Sequence, residues 1–259
     1  MKIGVIGLGL IGGSIFKDLN KLNYDCIGIS QSQNNIKNVY SDYKYLSECN
    51  LVFVCKEMSK TIQTLKELEK YVTKETIVTD VCSLKTFLTT ENYNFNFIPS
   101  HPMAGTEFSG WQNSQEGLFK GAKWVITPLN KNYHACILED VIKDLGAEIV
   151  YTTPQEHDEA VGLISHAPMV LAQALYKTVE NNKLALKLAS SGFRDMTRLA
   201  LSSVDMANDM VSLNSKNIQT AILKFYSTVG DLMKNDYRNQ ITKIKSKREK
   251  MYKDGKNIL

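Results

Sequence analysis

Residues 2–15 read KIGVIGLGLIGGSI. A β-branched run, Lys2–Ile6, leads into Gly7-x-Gly9-x-x-Gly12 and then into an apolar helical pattern. Strand, glycine turn and helix in that order form the context in which this spacing binds a dinucleotide. Gly7 permits the tight turn, Gly9 lets a pyrophosphate approach the backbone, and Gly12 lets helix and strand pack closely. Leu8, Leu10 and Ile11 lie between them, where the helix start presents free N–H groups to phosphate.

A carboxylate about 20 residues further on would hold the ribose 2′-hydroxyl of NAD. Here the second strand reads DCIGISQSQNN; Asp25 stands at its wrong end, and Ser30, Gln31 and Ser32 occupy its far end. Hydroxyls and amides can hydrogen-bond a 2′-phosphate and do not repel it. No arginine is present to clamp it, although Lys37 follows. The expected cofactor is therefore NAD or NADP, with the balance towards NADP or dual use.

Short β-branched runs continue to about residue 150: Cys26–Ser30, Leu51–Cys55, Thr76–Asp80, Asn96–Ser100, Trp124–Thr127 and Glu148–Tyr151. Helical patterns such as Met58–Tyr71 and Tyr133–Leu145 alternate with them, which predicts a parallel sheet covered by helices. From residue 153 the texture changes. Thr153, Pro154 and Glu156 spell a capping box with proline at the first helical position. Long apolar stripes follow, including Val161, Ile164, Leu171, Leu175, Leu213, Ile222 and Phe225. The expected architecture is an α/β Rossmann-type N-terminal domain over residues 1–152, then an all-α domain over 153–259. So many stripes on so short a helical segment predict dimerisation through that half.

The chain has 259 residues, 43% hydrophobic and 22% charged, the composition of a soluble globular protein. A net charge of +4, concentrated in the tail from Lys243 to Lys256, gives no case for nucleic acid. No apolar stretch is long enough to cross a bilayer, so no membrane association is expected. The five cysteines form no C-x-x-C pair, which predicts reduced thiols of a cytoplasmic protein and no metal site.

Two loops beyond strand ends carry candidate chemistry. IVTDVCSLK (residues 77–85) ends a strand at Asp80 and predicts a helix beginning near Ser83. IPSHPMAGTE (98–107) places His101 between two prolines. Loops at the carboxyl ends of a parallel sheet line the cofactor crevice, so Ser83 and His101 are expected to face the nicotinamide. A stiffly held histidine near water suits proton transfer.

GLGLIGGS, TDVCSLK, HPMAGTE, ISHAP and SGFRDMTR, in this order and spacing, resemble the prephenate/arogenate dehydrogenase family of tyrosine biosynthesis. The likeness runs from Lys2 to beyond Arg198, and HPMAGT followed by SGFRD is its most specific part. It implies oxidative decarboxylation of prephenate or arogenate with hydride transfer to NAD(P)⁺, and a helical dimerisation domain. By this resemblance His101 is the catalytic histidine and Ser83 its hydrogen-bonding partner. Thr106 and Glu107 lie in the loop near the substrate side chain, Ser191 and Gly192 beside the substrate. Arg198 matches the arginine for the substrate carboxylate, a role its planar fork suits. Asp195, three residues earlier, is expected to orient it.

His157 and His166 are nine residues apart and would project from opposite faces of a straight helix, with a kink at Pro168 just beyond. The ISHAP match selects His166 for the substrate and leaves His157 a structural role. Where many members have a further histidine, this chain has Met169. His134 has no case for function. Two rival readings are another Rossmann-plus-helical-domain dehydrogenase, of β-hydroxyacid type, and a non-catalytic dinucleotide sensor. Neither uses the histidine loop and the distant arginine motif together.

Overall fold

A computed structural model describes residues 1–33, 35–106, 108–129, 136–234 and 236–253. The chain begins with Lys2–Ile6 (β1), Leu10–Lys21 (α1), Asp25–Ile29 (β2), Val39–Tyr40 (β3), Leu51–Val54 (β4) and Met58–Leu68 (α2), then Ile77–Asp80 (β5) and Asn96–Phe97 (β6). These strands pair in parallel in the order β3-β2-β1-β4-β5-β6. β4 and β5 are buried along their whole length and β1 along all but Lys2, as covered parallel strands must be. The strand order reverses between β1 and β4, which opens a crevice beyond their carboxyl ends.

Asn96–Ser100 is not the continuous strand the sequence predicts. Ile98 N still donates to Val78 O in the first sheet, but Pro99 has no N–H to continue the ladder. The chain crosses there into a second sheet, and the Pro99 carbonyl accepts from Thr127 N. That sheet is built from Ser100–Pro102 (β7), Lys123–Ile126 (β8) and Glu148–Tyr151 (β9), with Cys136–Asp144 (α3) between the last two. β7 runs antiparallel to β8, and β9 parallel to it. This small mixed sheet and the two-residue β3 are additions to the expected single parallel sheet. The first three residues of the predicted helix from Tyr133, His134 among them, lie outside the described residues.

The helical half comprises Pro154–Val161 (α4), Ala167–Val179 (α5), Lys183–Lys187 (α6), Ser191–Thr197 (α7), Val204–Lys234 (α8) and Tyr237–Lys253 (α9). The capping box forms as read: Thr153 Oγ1 accepts from Glu156 N and Glu156 Oε2 accepts from Thr153 N, both at 3.2 Å. The straight helix expected through His166 does not form. A π-helical turn, Gly162–His166, joins α4 to α5, and Pro168 sits in the first turn of α5. Proline cannot donate to the carbonyl four residues back, and the wide turn absorbs the misfit. α8 also bends, at Asn214, where φ is −123° and ψ 21°.

A buried cluster of Met58, Cys82, Leu84, Val161, Met169 and Met210, bordered by Met103 and Leu199, joins the sheet half to the helical half. No helix among the described residues is long and apolar enough to cross a membrane.

Candidate active site

The glycine turn is shaped as the spacing predicts. Gly7 has φ +84°, and a Cβ there would lie 2.2 Å from the Cys55 carbonyl oxygen. A Cβ on Gly12 would lie 2.0 Å from Gly7 O, so α1 and β1 meet without room for a side chain. A Cβ on Gly9 would meet nothing within 4 Å. α1 then starts at Leu10 with no side-chain cap and no acidic residue in its first turn. The N–H groups of Leu10, Ile11 and Gly12 lack acceptors within the helix. The Leu8 side chain is buried in the core, leaving its backbone to the turn. These residues fit a pyrophosphate.

At the end of β2, Ser30 Oγ accepts from Ser32 N at 3.3 Å, and Gln31 Nε2 donates to Ser41 O at 2.9 Å. Asp42 borders the same cleft as Gln31, a carboxylate that distance along the chain concealed.

His101 occupies the middle of β7, where Ser100 and Pro102 are buried and His101 half-buried, the alternation of a strand. Ser100 turns inward: its Oγ lies 2.8 Å from Thr79 Oγ1 and accepts from Trp124 Nε1 at 2.9 Å. The His101 ring faces the helical half, with Nδ1 3.0 Å from His157 Nε2. His157 Nδ1 in turn lies 2.8 Å from Asp158 Oδ1. His157, assigned a purely structural place by the sequence, therefore touches the candidate base directly. Burial above all, then the charges of His157, Lys85 and His166, hold the His101 imidazole well below its ordinary range. Burial pushes the Asp158 carboxyl up, but hydrogen bonds from His157, Thr86 and Lys85 outweigh it and keep the group low. A neutral imidazole beside a fixed anion can accept a proton.

No helix begins near Ser83. Residues 81–85 form an irregular loop with a bend at Ser83 and both ends held, and the first helical residue is Thr86. Asp80 Oδ2 accepts from Cys82 N at 2.8 Å and pairs with Lys85 Nζ, while Asp80 Oδ1 accepts from Ser100 N at 3.2 Å. Lys85 Nζ also donates to Ser100 O, and Asp158 accepts from the Lys85 and Thr86 amides at 2.8 Å each. Ser83 rides on this clamp, its Oγ 3.6 Å from Met58 Sδ. Sequence reading missed the Asp80–Lys85 pair; both side chains are fully buried.

His166 is fully buried on the π turn. Asn214 Nδ2 donates to its Nδ1 at 3.1 Å and to Asp158 O at 2.9 Å. Burial, reinforced by His157 and opposed by Asp158, lowers the His166 pKa to about 4. Met169 is buried in the cluster between the halves. Arg198 opens a 3₁₀ turn, Arg198–Leu201, and its neighbour Leu199 packs against the cluster that contains Cys82 and Leu84 and is bordered by Met103. That contact brings the arginine's turn to the side of the molecule where Ser83 and His101 lie. Asp195 Oδ1 accepts from Arg194 Nε at 3.2 Å. Ser191 and Gly192 are exposed at the start of α7, with open space in front of Gly192. Thr106 is exposed, its Oγ1 accepting from Phe108 N at 3.2 Å. Glu107 lies outside the described residues.

Comparison with known proteins bears on both halves of the chain. Residues 29–151 match the prephenate dehydrogenase nucleotide-binding domain and residues 153–247 the prephenate dehydrogenase dimerization domain. A prephenate dehydrogenase of Lactococcus lactis is 30% identical over 220 residues, 77% of this chain, and the match spans 61% of that relative's length. Among solved structures, an arogenate dehydrogenase from Synechocystis shares 30% identity over 98% of each chain, with a TM-score of 0.79. A prephenate dehydrogenase from A. aeolicus, in complex with hydroxyphenyl propionate and NAD⁺, shares 26% identity over 97% of this chain and 98% of its own, with a TM-score of 0.87. With both halves matched, and the open glycine turn and half-buried histidine in place, the chain belongs to the prephenate dehydrogenase family.

Proposed function

We propose that this protein oxidatively decarboxylates prephenate, arogenate or both, using NAD or NADP, as a step of tyrosine biosynthesis. The observation that carries the proposal is a half-buried His101 backed by His157 and Asp158, on the same side of the molecule as the Arg198 turn.

Gly7, Gly9, Gly12 and the first N–H groups of α1 hold the pyrophosphate, and Ser30, Gln31 and Ser32 meet the adenosine ribose. Bound NAD(P)⁺ supplies the acceptor for a hydride from C4 of the substrate ring. His101 takes the C4 hydroxyl proton as the carbonyl forms, and Arg198 holds the ring carboxylate. The carbonyl then serves as an electron sink: the C1–carboxylate bond breaks, CO₂ leaves and the electron pair aromatises the ring. The resulting phenolate oxygen takes its proton back from His101. Ser83 and His166 border the substrate, with Ser191 and Gly192 of α7 and Thr106 and Glu107 of the loop after β7 beside its side chain. The absence of a carboxylate at the end of β2 favours NADP or dual use, whereas Asp42 across the cleft favours NAD.

We place the division between the domains at residues 152 and 153, and a homodimer through the second. Leu188, Leu201, Val204 and Leu223 are each about 70% exposed or more on the helical half, apolar side chains that a second copy would cover. Light scattering giving the mass of one chain would remove the dimer.

Reduced-nicotinamide absorbance with prephenate and arogenate, each with NAD and NADP, is the direct test, and turnover is expected with at least one pair. His101→Asn should lower kcat by about 10²–10⁴-fold while dinucleotide affinity holds. Arg198→Gln should chiefly raise KM. A folded protein that binds dinucleotide but turns over none of the four pairs would be a sensor instead.

A further inference from the structure

We propose that His157 and Asp158 hold His101 in the single tautomer that can act as a base, with Nδ1 protonated and the Nε2 lone pair free. The inference rests on the reading of His101 as the base and deepens it. It makes His157 a positioning residue, acting through another ring.

The assignment follows from one fixed anion. Asp158 accepts from two backbone amides, Lys85 N at Oδ1 and Thr86 N at Oδ2, which fixes the carboxylate in place. Its Oδ1 lies 2.8 Å from His157 Nδ1, and an ionised carboxylate can only accept, so that nitrogen carries the proton. A neutral His157 then has its lone pair at Nε2. That lone pair lies 3.0 Å from His101 Nδ1, so His101 must donate there. His101 Nε2 is left without a proton. Nothing in the rings themselves selects this outcome, because the two neutral tautomers of an isolated imidazole are close in energy.

The cluster also meets the charge that base catalysis creates. When His101 gains a proton it becomes a cation facing the neutral rings of His157 of α4 and His166 of the π turn, and Lys85 of the loop after β5, which opposes it. Asp158 is the anion at the far end of the same hydrogen-bonded line. A buried carboxylate that orients an imidazole and stabilises its protonated form is an established catalytic arrangement, and here a second ring stands between the two. His157 and Asp158 are 3% and 5% exposed.

A bracing role for the pair, tying α4 to β7, would affect stability alone. Two measurements on the full chain separate the possibilities. Long-range ¹H–¹⁵N spectra of histidine-labelled protein, assigned by His101→Asn and His166→Gln, should show both His101 and His157 protonated at Nδ1. In kinetics, His157→Leu should lower kcat by about 10- to 1,000-fold and leave the KM of substrate and dinucleotide within about twofold. His157→Gln, whose Oε1 can accept from His101 Nδ1, should recover most of the loss. A wild-type His101 protonated at Nε2, or a folded His157→Leu with wild-type kcat, overturns the inference. If His157→Leu does not fold, the wild-type spectrum and the glutamine variant decide. If the wild type turns over neither prephenate nor arogenate, the proposed reaction falls, while the spectrum still judges the relay.

Discussion

Gly7 holds φ at +84°, and a methyl group there would collide with the Cys55 carbonyl 2.2 Å away. Gly9, two residues on, has ordinary extended geometry and empty space before it. The two glycines are thus needed for different reasons, one by the fold and one by a ligand. Gly7→Ala should lower stability by at least about 1–3 kcal/mol, the strain of the conformation alone, before the clash is added. Gly9→Ala should leave the thermal midpoint close to wild type yet raise the dinucleotide Kd at least about tenfold, or ~1.4 kcal/mol. Fluorescence titration with NAD and NADP reads this directly, and wild-type affinity in Gly9→Ala would remove the turn from the binding site. His101 was legible at this scale because a histidine between prolines, past a strand end, is a local pattern. His157 was not, because its partner is 56 residues away along the chain.

The loop between β5 and the following 3₁₀ turn is stretched between two buried carboxylates. Asp80 grips it from the sheet half through Cys82 N and Lys85 Nζ, and Asp158 grips it from α4 through the Lys85 and Thr86 amides. Ser83 lies inside that span, and Ser100, held by the same Asp80, precedes His101. The clamp therefore sets two candidate site residues at once. Lys85→Met leaves the Asp80 charge buried and unpaired and should cost about 3–5 kcal/mol. Adding Asp80→Asn removes that charge and should recover part of the loss; urea midpoints of the single and double variants test it, and an unchanged midpoint in Lys85→Met would show the pair to be idle. At the element scale the sequence marked most strands of the main sheet to within a residue or two, because period and β-branching are local signals. It did not mark the change of sheet at Pro99 or the π turn, since both depend on what lies across the gap.

Both halves of the molecule converge on groups that must stay uncharged. His166 has its pKa lowered from about 6.5 in the unfolded chain to about 4 in the fold. The unfolded chain thus binds a proton that the folded one refuses, so stability holds above pH 6.5 and declines as pH falls towards 4. The shift corresponds to about 3 kcal/mol by pH 4. His101, also held low, adds to the loss in the same direction. Urea midpoints measured from pH 7.5 to 4 should fall more steeply in wild type than in His166→Gln, and parallel curves would remove His166 as the cause. The same shift in His101 keeps the candidate base neutral at ordinary pH, so the acid limb of kcat/KM is expected below pH 6.5.

The sequence by itself determined the architecture and the family: a strand, a glycine turn and a helix, then a histidine loop, then an arginine motif on helices. Each of these is a property of neighbours along the chain, where spacing and residue type act directly. The tertiary structure alone decided the pairings within the site. His157 faces His101, Asp158 grips the Lys85 and Thr86 amides and Asp80 accepts from Ser100 N because packing between β5, β7 and α4 sets those distances. Residues far apart in sequence carry no local mark of whom they will meet.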